Sequence, residues 1–340
     1  MFLDPNLACA HIVHHWHNRQ NPGRYRQMTT IRFGILHYPG SQLSAAMGLA
    51  DLFTIAGRIA EGADRGAPQV EVLQLDPTEH GTPGARKAPE AFQVLILPPS
   101  LEEPIKPEAA APLAGWLRER HAEGATMASV CGGAFLLAET GLLAGRSATT
   151  HWIYAEAFRE RFPDVTLDTD RLIIDGGDIL SAGGLMSWTD LGLKLVDRFL
   201  GPVVMGQTAR MMLVDPPGRE QRYYSGFVPR LTHGDAAILK AQHVLQANEG
   251  RDARLSTLAK EAGLEQRTFL RRFQKATGLT TTEYAQRLRV SKAQELLQFG
   301  RLPVERIAWE IGYSDAGAFR KIFLRIVGLT PGEYRRRFHA

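Results

Sequence analysis

Apolar positions fall into two regimes along this 340-residue chain. Between residues 31 and 200, short and fully apolar runs alternate with longer segments of helical period. Ile31–Tyr38, Val70–Leu75, Val94–Pro98, Thr126–Val130 and Ile179–Ala182 read as strands. Leu43–Glu61, Ala109–Ala122, Gly133–Thr140, His151–Arg161 and Ser187–Leu200 read as helices. Strands that lack polar alternation are buried on both faces, which calls for a parallel sheet covered by helices on each side. Right-handed crossovers then give a doubly wound α/β domain. Leu172–Leu180 interrupts the alternation and reads as a β-hairpin turning at Gly176-Gly177. Residues 215–232 carry Pro216-Pro217-Gly218 and Pro229 with few periodic apolar positions, the mark of a linker. Everything from Asp235 onward reads helical. The expected organisation is a disordered extension over 1–27, an α/β domain over 28–212, a linker over 213–234 and an all-α domain over 235–340.

Within the helical region a seven-residue phrase occurs twice. Gly278-Leu279-Thr280-Thr281-Thr282-Glu283-Tyr284 returns fifty positions later as Gly328-Leu329-Thr330-Pro331-Gly332-Glu333-Tyr334. Both copies hold a capping box, Thr280-x-x-Glu283 and Thr330-x-x-Glu333, with Pro331 at a first helical position. Each closes a two-helix unit, about 255–276 and 304–327. In the first, Leu255, Leu258 and Ala259 share one face, Gly263 makes the turn, and Phe269, Leu270 and Phe273 form the inner face of the second helix. Ala308, Gly312, Phe319 and Phe323 repeat that scheme, with the two Phe positions displaced by one residue. The helix of about Thr281–Phe299 between the units spans roughly 27 Å at 1.5 Å per residue. Recognition helices about 34 Å apart reach successive major grooves on one face of a duplex.

Charge sharpens this reading. Residues 251–340 hold 18 Lys/Arg against 9 Asp/Glu, a net of +9. The chain total is +4, which leaves −5 for residues 1–250. A basic tail on an acidic body fits nucleic-acid binding by the tail alone. The expected base or backbone contacts are Arg267, Arg271, Arg320 and Lys321, with Arg272, Lys275 and Arg325 toward phosphates or solvent. No apolar run approaches the ~18 residues of a membrane span, and no secretory h-region opens the chain, so no membrane partner and a cytoplasmic location are expected. Two cysteines, Cys9 and Cys131, make no disulfide framework. His11, His14, His15 and His17 could form a metal site, but no carboxylate or thiol pattern completes it, so no metal and no cofactor are expected. Met28, just before the first strand, is the expected true start.

The second helical unit resembles the AraC/XylS family of transcription regulators. The matching residues are Ile307-Ala308-x3-Gly312-Tyr313-x-Asp315-x3-Phe319-x3-Phe323-x4-Gly328-x-Thr330-Pro331-x2-Tyr334-Arg335. The resemblance covers about 235–340 and implies two helix-turn-helix units that bind double-stranded DNA. Gly317 departs from the pattern, at a place where a small hydroxyl residue is common, and is expected to loosen its helix start. Leu324, Ile326 and Val327 replace some usual basic residues.

Ala128-Ser129-Val130-Cys131-Gly132-Gly133-Ala134-Phe135 reads as strand, sharp turn and helix start, the arrangement that thrusts a nucleophile above a sheet edge. A helix N-terminus there favours a thiolate. With Gly141-Leu142-Leu143 and Ala148-Thr149-Thr150-His151-Trp152, this stretch resembles the PfpI/ThiJ-like branch of the class I glutamine amidotransferase superfamily, over about 30–200. That resemblance implies a flavodoxin-like, amidotransferase-like domain, here fused to an AraC-type tail, and a homodimer. Hydrolytic relatives carry His after the elbow Cys, where this chain has Gly132. His151 and Asp51 are the candidate partners of Cys131, and Asp190 a weaker third that is expected on a helix surface. No convincing triad results. The expectation is a non-enzymatic sensor with Cys131, Gly132, Gly133, His151 and Asp51 around a small-molecule effector. Trp152, Trp188 and Met186 are further lining candidates, and core residues otherwise. The alternatives for Cys131 are a buried packing residue and a working nucleophile. The last would make the chain a cysteine hydrolase or hydratase of amide-like or glyoxal-like substrates tethered to DNA.

Overall fold

The computed structural model describes residues 30–76 and 91–340. The expected extension, with its histidines, Cys9 and Met28, lies outside the described residues. In chain order come β1 (Thr30–Leu36), α1 (Leu43–Ala63), β2 (Gln69–Leu75), β3 (Val94–Leu97), α2 (Pro107–Ala122), β4 (Thr126–Val130), α3 (Gly133–Glu139) and β5 (Ser147–Ala148). A 3-10 turn at Trp152–Tyr154 runs into α4 (Ala155–Arg161). Then follow β6 (Thr166–Leu167), β7 (Ile173–Asp175), β8 (Ile179–Ala182), α5 (Trp188–Leu200) and α6 (Pro202–Met212).

The main sheet runs β2-β1-β3-β4-β8-β7. Its pairs are parallel except for the β7–β8 edge, where the Gly176-Gly177 hairpin makes them antiparallel. Apolar side chains on both faces of the central strands force helices onto both sides. One core joins the sheet to α1, α5 and α6, the other to α2, α3 and α4. Phe33 of β1 stacks on Phe53 of α1 with centroids 4.0 Å apart, and both rings are fully buried. By length and composition α1 could cross a membrane, contrary to the sequence reading, but Leu49, Leu52, Phe53 and Ala56 are wholly buried against the sheet. A helix used in this way is a core element of the α/β domain. Two features escaped the sequence pattern: the β5–β6 pair, two residues each, and α6.

The C-terminal half comprises α7 (Ala236–Ala247), α8 (Leu255–Glu261), α9 (Gln266–Thr277), α10 (Thr281–Phe299), α11 (Val304–Glu310), α12 (Ala316–Val327) and α13 (Pro331–Phe338). It has two small cores with α10 shared between them. The duplication seen in sequence is a duplication in space. Phe273 meets Tyr284 edge-on at 5.4 Å, and Phe323 meets Tyr334 edge-on at 5.6 Å. Both capping boxes form. Gly263 and Gly312 take φ of +64° and +84°, the left-handed turn that lets the second helix of each unit leave the first at a steep angle. Arg289 of α10 fixes the two lobes to one another. Its guanidinium donates to the Gly250 and Arg251 carbonyls at 2.7 and 3.0 Å and to the Gly312 carbonyl at 3.3 Å.

Residues 213–234 are not a free tether. Gln221 is 2% exposed and buried in the α/β domain. Farther on, Phe227 N–H donates to Ser291 Oγ at 3.2 Å, and Arg230 pairs with Glu156 at 2.9 Å. The segment is a strap fastened to both halves.

Candidate functional site

The second helix of each helical unit has a carboxylate at its start. Glu265 accepts from the Arg267 and Thr268 amides at 2.9 and 3.2 Å, and Asp315 from the Gly317 and Ala318 amides at 2.8 and 3.0 Å. The Asp315 cap holds the start of α12 through Gly317 itself, so the loosening expected there is corrected. Each carboxylate satisfies two orphan N–H groups and complements the helix dipole.

The basic side chains separate by their partners. Arg267 and Arg271 on α9 and Lys321 on α12 are exposed and have no side-chain partner among the described residues. They occupy the first two turns of their helices, the portion that reaches base edges when such a helix enters a major groove. Arg272 instead forms a two-pronged pair with Asp235, at 2.9 and 2.7 Å, which ties α9 to the start of α7. Arg320, expected at DNA, is paired with Glu305 of α11. Arg325 donates to Gln286 at 2.6 Å. Lys275 lines a cleft of about 880 Å³ between the two halves of the chain, together with Trp152, Arg159 and Phe227.

Upstream, the elbow is a true sharp turn. Cys131 has φ of +52°, a left-handed backbone at a non-glycine residue that costs about 1–3 kcal/mol. The surroundings enforce it. Its N–H donates to the Ala182 carbonyl at 2.7 Å, and its own carbonyl accepts from Thr150 Oγ1 at 2.7 Å. A Cβ at Gly133 would sit 2.4 Å from the Leu97 carbonyl oxygen, so only glycine fits. At Gly132 it would meet Ser100 Cβ at 3.1 Å. The Gly133 Cα therefore packs directly against the end of β3.

The thiol is sealed and protonated. Cys131 is 2% exposed, and burial pushes its pKa up to about 11 against the opposing pull of the Gly132 and His151 amides. The expectation that a helix N-terminus produces a thiolate is corrected here, because α3 has seven residues and desolvation outweighs it. His151 offers sulfur its backbone N–H, not its ring. Its Nδ1 accepts from the Ile153 amide at 3.1 Å, capping the 3-10 turn, and burial lowers the imidazole pKa. Asp51 lies on the exposed side of α1, away from the stripe that packs on the sheet. Asp190 is 3% exposed, not on a helix surface as expected. The Arg219 guanidinium clamps it, with contacts of 3.0, 3.1 and 2.6 Å. The structure brings Cys131, Gly132 and the His151 backbone together, leaves Asp51 exposed on α1 and engages Asp190 with Arg219.

Two residues near the thiol were missed. Tyr38, just past β1, is buried and donates to the Pro98 carbonyl at 2.5 Å. Burial and the neighbouring Cys131 and Tyr154 push its phenol pKa upward. Burial, Cys131 and Glu103 likewise raise Tyr154. Position at the carboxyl end of a parallel strand was the available signal for Tyr38. Of the aromatic and methionine candidates, Trp188 packs against Gly48 in the core, Met186 is exposed, and Trp152 lines the cleft between the halves.

Comparison with known proteins agrees with both halves. Residues 258–337 match the model of a helix-turn-helix domain, and residues 85–198 that of the DJ-1/PfpI family. The HTH-type transcriptional regulator GlxA of Rhizobium meliloti is 29% identical over 65% of this chain and 68% of its own length. The HTH-type transcriptional regulator CdhR of Pseudomonas aeruginosa is 28% identical over 68% of this chain and 69% of its own. Among solved structures, Drosophila melanogaster DJ-1beta aligns over 55% of this chain and 100% of that one, with 18% identity and a TM-score of 0.42. The chain thus joins a flavodoxin-like DJ-1/PfpI domain to an AraC-type helix-turn-helix domain with paired units, and it is a DNA-binding transcription regulator similar to these relatives.

Proposed function

We propose that residues 28–212 form a sensor that binds a small polar metabolite at the elbow and does not turn it over, and that residues 235–340 carry the DNA-reading surface. A single observation carries the sensor reading. A working cysteine nucleophile needs a thiolate and a base within reach. Here burial holds the thiol protonated, and His151 spends its Nδ1 on the Ile153 amide. The retained features are those of a binding site: a strained turn, two amides facing the sulfur, and two phenols beside it, the buried Tyr38 and the partly buried Tyr154. Arg267, Arg271 and Lys321 support the DNA-reading surface, as exposed cations in the first turns of the two recognition helices. Arg272, Arg320 and Arg325 hold the domain together in the absence of DNA; Lys275 faces the cleft.

We further propose that the regulator acts in the cytoplasm as a homodimer joined through its α/β domains, in keeping with the family resemblance. Sedimentation of the full chain tests the dimer. The sensor reading is tested by assaying turnover of amides and glyoxals alongside duplex binding. It expects no turnover and an effector-dependent change in DNA affinity. Turnover that vanishes in Cys131→Ala would overturn it in favour of a hydrolase or hydratase.

A further inference from the structure

A metabolite can reach Cys131 only if the cover over it moves, because the thiol is 2% exposed. The segment Thr149–Tyr154 belongs to that cover. Thr150 bonds the Cys131 carbonyl, the His151 amide faces the sulfur, and Tyr154 stands near enough for its phenol pKa to feel the thiol. What holds this segment comes from the strap. The Gln221 carboxamide accepts from Trp152 N–H at 3.0 Å and donates to the Thr150 and Thr169 carbonyls at 3.0 and 2.9 Å. A Cβ at Gly183 would lie 2.3 Å from Gln221 Nε2, so the amide fills its socket completely.

The residues after Gln221 touch the DNA-binding half. Arg222 and Tyr223 press on Gly328, the left-handed cap that ends α12, where a Cβ would meet them at 2.5 and 2.8 Å. Tyr224 accepts from Arg337 of α13 at 2.8 Å. Ser225 O accepts from Gln294 of α10 at 3.3 Å. Thus four consecutive residues after the buried amide contact the end of the second recognition helix, the α13 helix that follows it and the helix that spaces the two units.

We propose that Gln221 is a latch: the elbow cover opens only when its carboxamide leaves the socket, and its departure releases the strap from the end of the second recognition helix. The latch deepens the sensor reading and rests on it for its purpose. It makes Gln221 a positioning residue that couples two sites through one element with a seated and an unseated state.

The test uses the full chain with Cys9→Ser, so that Cys131 is the single thiol, and Ellman's reagent as the probe. Gln221→Ala, or the similar-volume Gln221→Met, is expected to raise the labelling rate of Cys131 at least tenfold. Hydrogen exchange should rise in 222–229 and 326–331 and stay unchanged in α1 and β3, which a general loss of folding would not spare. In the reverse direction, chain with native Gln221 labelled at Cys131 with N-ethylmaleimide is expected to show the same rise in 222–229 and 326–331. This arm needs no substitution at Gln221. A labelling rate within twofold of the parent in the substituted chains, or labelled parent with unchanged exchange in the strap, overturns the latch. Turnover by the elbow would sink the sensor reading while leaving these exchange results intact, so the two failures are distinguishable.

Discussion

Gly133→Ala is the sharpest test of how the elbow is built. The added methyl would sit 2.4 Å from the Leu97 carbonyl oxygen and 2.7 Å from that of Pro98. Ordinary carbon–oxygen contacts begin near about 3.3 Å, so the end of β3 must retreat by roughly 0.6–0.9 Å. Both opposing atoms are backbone, and β3 is hydrogen-bonded to neighbouring strands on each side, so little can yield. The cost belongs at the upper end of the overpacking range, about 3 kcal/mol. At about 2–4 °C per kcal/mol for a domain of this size, the α/β transition should fall by roughly 6–12 °C. Gly132→Ala is the control. Its methyl would meet Ser100 Cβ at 3.1 Å, so Ser100 must shift by only a few tenths of an ångström, and it should cost less than Gly133→Ala, toward the low end of the same range at about 1 kcal/mol. Differential scanning calorimetry of the full chain resolves the effect, with Cys131 labelling as a local reporter. A Gly133→Ala protein that melts with the wild type, or two substitutions of equal effect, would refute the packing argument.

Other consequences follow at the DNA surface and in the pH response. Arg271→Ala should cost about 1–3 kcal/mol of affinity for the specific site and relax the base preference there, read by competition binding. Lys321→Ala should lower the slope of log affinity against log salt by about 1, as for a lost phosphate contact. Arg272→Ala breaks a half-exposed pair with Asp235 and should lower stability only slightly, read by thermal melting, without altering sequence preference. Asp178 is held at about 2 by the hydrogen bond from Arg146, with His121 adding to it. Because its folded pKa lies below the ordinary ~3.9, its contribution is full above about pH 4 and fades as pH falls toward 2. The melting difference between wild type and Asp178→Asn should close over that window.

The sheet and both helix-turn-helix units were legible because their signals are local and repeated. Thr126–Val130 and Ile179–Ala182 are bounded by turn residues and buried on both faces, so period and length fix them. The phrase at 278–284 and 328–334 holds a left-handed glycine, a capping box and a core tyrosine together, and structure returns all three twice. The elbow turn was legible for the same reason. What stayed hidden depends on partners distant in sequence. Asp190 looked like a surface residue until Arg219 closed on it from 29 positions away. Arg320 looked free because nothing local reveals that Glu305 lies beneath it. The proline-rich stretch read as a tether because composition reports low periodicity, whereas the fastening rests on single residues such as Gln221. The ionisation of Cys131 could not be read from the motif, since a short helix favours the thiolate and burial, a tertiary quantity, decides against it.

The measurement closest to the central claim is the preference of the full chain for its own site. Selection from a random duplex pool, followed by competition binding at physiological salt, should yield a bipartite motif with its halves about one helical turn apart. Arg271→Ala should erode one half and Lys321→Ala weaken the contact at the other. Binding that never exceeds that of random competitor, or a motif with one half only, would contradict a pair of recognition helices held at fixed spacing by α10.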